Sequence, residues 1–204
     1  MPRPVFLACL ALLGFLTLPL LPGGGVLLAE GGAFSSEPGV TLRPERPDGS
    51  RPREVEVAVL DERGYLRSSG FWPVSAQGEV FVPTPAPGSW RLLIAEPGGA
   101  TLERTVIANQ DMGLITLPRY GYLVLATPEL ARQRLSFELE IRESSGRPYR
   151  SVRDGDRTPI YNQRKIEMPL PEGAWVIDLE AADGRRWQRA VLIEEGREEV
   201  LEVP

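Results

Sequence analysis

The sequence predicts an all-β protein made of two tandem small antiparallel β-sandwiches, preceded by an N-terminal signal or anchor segment. Three observations support this fold class. The chain repeats itself at an offset of 85 residues, so that Trp90 matches Trp175 and Val106 matches Val191. Apolar and polar residues alternate in short runs, with turn residues about every 8–12 positions. Outside these runs, no amphipathic stretch is long enough to predict a substantial helix.

Residues 1–29 have the layout of a secretory signal peptide, with a basic start, an apolar run over 5–18 and a small-residue exit at Ala29. As a helix the run spans only about 21 Å, short of a hydrocarbon core of about 30 Å. Continued to Ala29 it is long enough, so a retained membrane anchor over residues 5–29 stays open. Cleavage is expected after Ala29 or Ala33.

Residues 30–53 are rich in Gly, Pro, Ser and charge, which predicts an extended linker with at most an edge strand at 40–43. From Glu54 the hydrophobic period changes to two, as in a half-buried strand. Sandwich 1 is therefore placed at residues 54–118. Its predicted strands are 54–60, 71–74, 79–82, 90–95, 101–108 and 114–117, with Gly98-Gly99 as a hairpin turn.

Sandwich 2 is placed at residues 119–204. Leu139 and Ile141 alternate with charged neighbours, so one face of that strand is expected to be buried and the other exposed to solvent. Residues 147–164 are polar and irregular and form the longest predicted loop. The predicted strands are 120–126, 135–142, 166–168, 175–180, 187–193 and 200–203, with Asp183-Gly184 as the turn that matches Gly98-Gly99.

Composition excludes several classes of site. The chain has no histidine, which removes Ser-His-Asp and Cys-His nucleophiles and histidine metal sites. Cys9 is the only cysteine, so neither a disulfide framework nor a thiolate metal site is expected. A net charge of −5 argues against a nucleic-acid partner. Asp154-Gly155-Asp156 lacks the full calcium-loop spacing. We therefore predict no catalytic residue, no cofactor, no metal site and no enzyme activity.

Three motifs of sandwich 1 resemble those of the carboxypeptidase regulatory-like, transthyretin-type β-sandwich. They are residues 57–64 (VAVLDERG), 78–83 (GEVFVP) and 86–94 (APGSWRLLI). Sandwich 2 carries weaker versions at 141–146 and 171–177, without the aspartate of the first hairpin. The resemblance implies an Ig-like or prealbumin-like sandwich that serves as an accessory module of secreted, envelope or carbohydrate-associated proteins. It implies no catalytic residue.

Aromatic side chains are the candidate contacts with a protein partner or a glycan, namely Tyr65, Phe71, Trp72, Tyr149 and Tyr161. Phe71-Trp72 follows a Gly/Ser turn and has no counterpart in the second copy, so an exposed cluster is one reading and burial under a loop the other. Tyr149 and Tyr161 lie in the long loop, where rigid sandwiches usually carry recognition.

The matched tryptophans are expected in the cores instead. Trp90 and Trp175 alternate with aliphatic residues, and aromatic side chains dominate the burial energy of small sandwiches. Trp187 is interpreted in the same way. Arg104 and Arg189 are expected at strand ends, with Arg189 packed on Trp187.

These patterns predict a non-catalytic exported protein that is periplasmic, extracellular or anchored at the cell envelope. It is expected to act as a structural or accessory subunit that binds a protein partner. A carbohydrate-binding module that uses the aromatics near Trp72 is the alternative. Membrane contact is expected only through residues 5–29, if they are retained.

The native N-terminus discriminates a released protein from an anchored one. If the signal is removed as predicted, mass spectrometry of the protein isolated from its host finds Glu30 or Phe34 as the first residue. A chain that still begins at Met1, and that needs detergent for its extraction, contradicts cleavage and supports the anchor.

Overall fold

The computed structural model describes residues 37–128, 136–152, 158–161 and 165–203. They form fourteen β-strands, and all of them belong to the unit Ser35–Pro204. The predicted signal or anchor lies outside the described residues. Within these ranges, no helix has the length and apolar character needed to cross a membrane.

Sandwich 1 contains seven strands in two sheets. They are β1 (Gly39–Glu45), β2 (Glu54–Leu60), β3 (Leu66–Pro73), β4 (Val80–Pro83), β5 (Ser89–Ala95), β6 (Leu102–Ile107) and β7 (Asp111–Thr116). Sheet A has the order β4-β1-β7, and sheet B has the order β3-β2-β5-β6. Alternate aliphatic residues of both sheets meet in one core, which includes Val40, Leu42, Val57, Leu92 and Ile94.

Sandwich 2 also contains seven strands. They are β8 (Tyr120–Ala126), β9 (Ser136–Glu143), β10 (Thr158–Tyr161), β11 (Lys165–Pro171), β12 (Gly173–Ala181), β13 (Arg186–Ile193) and β14 (Glu198–Glu202). Sheet C has the order β11-β8-β14 and sheet D the order β10-β9-β12-β13. Leu123, Leu125, Leu139, Ile177 and Leu179 belong to its core. The predicted fold class, all-β with two sandwiches in tandem, is confirmed.

The two copies agree in topology and in hydrogen bonding. β1 pairs antiparallel with β4 and parallel with β7, and β8 pairs in the same way with β11 and β14. The Trp90 Nε1–H donates to the Ala86 carbonyl at 2.9 Å, and the Trp175 Nε1–H donates to the Pro171 carbonyl at 2.8 Å. The parallel pairs depart from the antiparallel prediction. They arise because the last strand of each copy crosses to the other sheet and ends beside the first strand.

β1 lies inside the segment that was expected to be a linker. Gly39–Glu45 is the middle strand of sheet A, and Val40 and Leu42 are fully buried. The expectation of an extended tether, or of an edge strand, is therefore wrong for these residues. Composition averaged over residues 30–53 hid the apolar alternation of a single short strand.

Residues 147–152, which we call the strap, leave sandwich 2 and pack on sandwich 1. Val152 is buried on the outer face of sheet B, and its N–H donates to Thr101 Oγ1 at 3.2 Å. The Tyr149 hydroxyl accepts the Thr101 N–H at 3.0 Å and donates to the Pro169 carbonyl at 3.1 Å. Burial raises the pKa of Tyr149, so the hydroxyl keeps the proton that it donates. Because Thr101 lies beside β6 and Pro169 lies in β11, this hydroxyl joins the two sandwiches.

A carboxylate in sandwich 1 adds charged contacts to the same junction. Glu103 lies 3.5 Å from Arg147 and 3.3 Å from Arg150 of the strap, and 3.5 Å from Arg91 of β5. The side chains of Glu103 and Arg150 are more than four-fifths buried. Partial burial weakens the screening of such contacts by water and salt, so they reinforce the strap.

The Asp61 carboxylate organises the turn between β2 and β3. It accepts the N–H groups of Arg63 at 3.0 Å and Tyr65 at 2.9 Å, and the Arg67 guanidinium at 2.6 Å. Desolvation raises the pKa of Asp61, but the hydrogen bonds from Tyr65 and Arg67 outweigh it and hold this pKa below its usual value. The ionised carboxylate therefore stabilises the start of β3.

Replacing Tyr149 with Phe tests the junction between the sandwiches. The Tyr149→Phe variant keeps the ring but leaves the buried Thr101 N–H and Pro169 carbonyl without their partner. We expect the free energy of unfolding, measured by urea titration, to fall by about 1–3 kcal/mol. The control, Tyr65→Phe, removes an exposed hydroxyl and is expected to change it by less than about 0.5 kcal/mol. Equal stability of Tyr149→Phe and the parent protein contradicts the bridging role.

Replacing Asp61 with Asn gives a pH-dependent effect. Since the folded-state pKa of Asp61 lies below its unfolded value, its carboxylate stabilises the fold above about pH 4, and this contribution is lost as the pH falls through the folded pKa. Asp61→Asn is therefore expected to lower the Tm at pH 7 and to match the parent protein near pH 2. Glu62→Gln in the same turn serves as the control. A Tm difference that is constant between pH 7 and pH 2 argues against this role.

Candidate interaction surface

The outer face of sheet B, which points away from the core of sandwich 1, is apolar at its centre. Ala58 and Leu60 of β2 lie beside Leu93 and Ala95 of β5, and all four are buried with Val152. Burial removes this area from water and contributes roughly 25 cal/mol per Å². The strap thus covers a surface that would otherwise be unfavourable in water.

The matched positions of sandwich 2 carry charge instead. The registers of the two sheets place Glu140, Arg142, Asp178 and Glu180 of sheet D where sheet B has Ala58, Leu60, Leu93 and Ala95. Arg142 contacts Asp178, and Gln188 donates to Asp178 at 2.7 Å. One repeated scaffold therefore carries an apolar outer face in the first copy and a hydrated, ion-paired face in the second.

β3 adds exposed apolar side chains to the outer face of sheet B at the edge of the sheet. Leu66 is paired with Leu60 and Phe71 with Glu56, so both side chains point outward. Leu66 is 57% exposed, Phe71 is 54% exposed, and Tyr65, in the turn before β3, is 63% exposed. We call Tyr65, Leu66 and Phe71 the β3 strip. Leu66 was missed at the sequence level, although its position directly after the hairpin turn was a usable signal.

Trp72 does not belong to the β3 strip. It is paired with Val55 and faces the core of sandwich 1, against which it packs. A Cβ on Gly70 would lie 3.2 Å from the indole ring, so this glycine makes room for Trp72. Successive residues of a strand point to opposite faces, which separates Trp72 from Phe71.

The two tyrosines of the long loop have different positions. Tyr149 is engaged inside the molecule, where its ring also packs edge-to-face on Trp175 with 5.4 Å between the ring centroids. Tyr161 lies in β10 at an edge of sheet D, and only its backbone is described. Of the five candidate contacts, the structure thus brings Tyr65 and Phe71 to the same exposed strip.

The matched tryptophans and arginines are mostly structural. Trp175 is only 4% exposed, whereas Trp90 is half-buried against the core of sandwich 1. Arg104 and Arg189 are exposed, and each donates to the carbonyl of the preceding residue at 3.0 Å. The expected contact of Arg189 with Trp187 is replaced by Arg185, whose guanidinium lies 5.5 Å from the centre of the Trp187 ring.

A cleft of about 490 Å³ lies where the sandwiches meet. Among its lining residues, Arg46 is paired with Glu96 and Arg119 with Glu195, and Tyr120 packs edge-to-face against Tyr122. Among the described residues, no three Asp, Glu or Cys side chains gather as metal ligands. The Asp154-Gly155-Asp156 run lies outside the described residues.

No family model matches the sequence, and no curated protein is similar to it. Membership of the carboxypeptidase regulatory-like family therefore stays a prediction. The sandwich fold itself rests on the strand order and pairing described above.

Several solved structures are distantly similar. The Bacillus anthracis TIE protein is 15% identical over 81% of this chain, with a TM-score of 0.35. GBS52, the minor pilin of Streptococcus agalactiae, is 14% identical over 81% of this chain and 94% of its own, with a TM-score of 0.34. The fimbrial anchor protein Mfa2 of Porphyromonas gingivalis is 13% identical over 76% of this chain and 83% of its own, with a TM-score of 0.33. This chain spans about a third of the TIE protein, and similarity this low carries no inference about function.

Proposed function

We propose that this chain is a non-catalytic, exported or envelope-anchored β-sandwich protein that acts as a structural or accessory subunit and binds a protein partner. The observation that carries the proposal is the β3 strip. It places exposed apolar side chains on a sheet edge, and its Leu66 lies beside Leu60 of the apolar face that the strap covers. Exposed apolar side chains grouped in this way are typical of protein interaction sites.

The junction between the sandwiches supports a structural role. The strap joins them through a buried apolar cluster, the Tyr149 hydroxyl and the Glu103 contacts. A body held in this way presents the β3 strip in a defined orientation. Such preorganisation lowers the entropic cost of binding.

The geometry favours a protein partner over a glycan. Trp72, on which the glycan hypothesis depended, packs against the core. Tyr65 and Phe71, which carry the exposed rings, are six residues apart, which corresponds to roughly 20 Å along an extended chain. The exposed rings near β3 are therefore too widely spaced for one sugar ring to stack on both, whereas an extended polypeptide can contact the whole strip.

Removing the apolar side chains of the β3 strip tests the proposal. Envelopes that contain the tagged protein are cross-linked, extracted under mild conditions and separated by size. The Leu66→Ser/Phe71→Ser variant is expected to reduce the cross-linked complex by at least about tenfold, because central apolar contacts carry most of the binding energy. Ile107→Ser serves as the matched control, since Ile107 is 64% exposed on β6 at the opposite edge of sheet B. Recovery of the parent protein only as a free monomer, or equal losses in both variants, argues against the proposal.

A further inference from the structure

Edge strands expose unpaired backbone groups, and proteins usually protect them with charge, proline, bulges or short length. Among the described strands, the four sheets have eight edge strands. In seven of them the protection lies within the strand, or the strand is only four residues long. These are β4 and β10 with four residues each, β7 with a register shift near the left-handed Gly113, β11 with Pro169 and Pro171, and β6, β13 and β14 with charged residues.

β3 is different. Residues 68–72 (SSGFW) are uncharged and contain no proline. Protection in β3 is confined to the two ends of the strand, where the register shifts near Leu66, where Arg67 carries charge and where Pro73 stands. Among the described residues, no strand pairs with the middle of this edge, and Phe71 lies there with its side chain on the outer face.

The backbone groups that face this open edge follow from the register. The Val74 N–H donates to the Arg53 carbonyl at 2.9 Å, so every second pair between β2 and β3 is a hydrogen-bonded pair. Glu56 is therefore not hydrogen-bonded to Phe71, and Ala58 is not hydrogen-bonded to Ser69. The N–H and C=O groups of Ser69 and Phe71 point away from β2, toward the open edge.

We propose that β3 pairs antiparallel with β3 of a second copy of this chain, about a two-fold axis at Gly70. This proposal rests on the proposed function and names the partner of the β3 strip. Ser69 of one copy lies opposite Phe71 of the other, and their outward N–H and C=O groups form the ladder. The two sheets B then join into one continuous sheet of eight strands.

The sequence of β3 is self-complementary in this register. Arg67 lies opposite Pro73 of the second copy, so no like charges are opposed, which would be destabilising. The two Phe71 rings lie on the same outer face as diagonal neighbours, within reach of each other. The neutral composition of residues 68–72, their outward hydrogen-bonding groups and the lack of opposed like charges in this register thus point to a second β3.

Sedimentation velocity and amide exchange test the pairing on the exported protein, purified from envelopes in mild detergent. We expect a concentration-dependent dimer in which the Ser69 and Phe71 amides become protected as the dimer forms. Ser69→Pro removes an outward N–H in each copy without removing a bond to β2. It is expected to weaken the dimer at least tenfold, since each copy loses a ladder hydrogen bond.

Thr105→Pro is the matched control on the other edge of sheet B. The Ala108 N–H donates to the Gly88 carbonyl, so the same alternation directs the Thr105 N–H away from β5. This variant is expected to dimerise like the parent protein. A monomer at all concentrations, a dimer without protection at Ser69 and Phe71, or equal effects of both prolines overturns the pairing. A purified monomer whose β3 amides are protected only in envelopes overturns the second copy as partner but leaves the proposed function standing.

Discussion

The apolar outer face of sheet B is the constraint on which the arrangement of the two sandwiches depends. Leu60 and Leu93 each gain roughly 1.5–3 kcal/mol from burial, so this face requires a cover. Val152 supplies it, and the strap can reach it because it leaves β9 after a tight turn. Apolar contact alone is non-directional. The hydrogen bonds of Tyr149 with Thr101 and Pro169 fix how the two sandwiches are oriented, because they require specific donor and acceptor positions.

The two copies share the inward residues that form the core and differ in the outward residues that form the surface. Both copies keep the inward aliphatic residues and the bond from a tryptophan to the carbonyl four residues earlier. The outward positions differ more, from Ala58 and Leu93 in sheet B to Glu140 and Asp178 in sheet D, although Glu56 and Glu138 match. Inward residues are constrained by packing, whereas outward ones depend on what covers them. Sheet D is left to water and carries ion pairs, whereas the middle of sheet B is covered and its ion pair of Arg91 with Glu103 lies toward β6.

The sequence predicted most of the strands, but not the sheet to which each strand belongs or the strands with which it pairs. β1 was predictable, because a strand was expected at 120–126 in the second copy and duplication requires a counterpart before Glu54. The inward direction of Trp72 also follows from the alternation of β3 with Val55 and Val57. The role of Tyr149 was not predictable from its own segment. It depends on Thr101, 48 residues earlier, and on Pro169, 20 residues later. Such contacts are set by the assembled sandwiches rather than by local pattern.

The geometry of the β3 edge limits the proposed pairing to two copies. A two-fold contact uses the same surface on both partners. Once two copies pair, both β3 edges are occupied and no third copy can bind there. The joined sheet then ends at β6 on both sides, where Glu103 and Arg104 interrupt the apolar edge. The register shift and Pro73 also limit the paired length to the uncharged residues 68–72. A longer or flatter edge would favour open-ended aggregation. The short, bounded edge of β3 instead favours one specific contact.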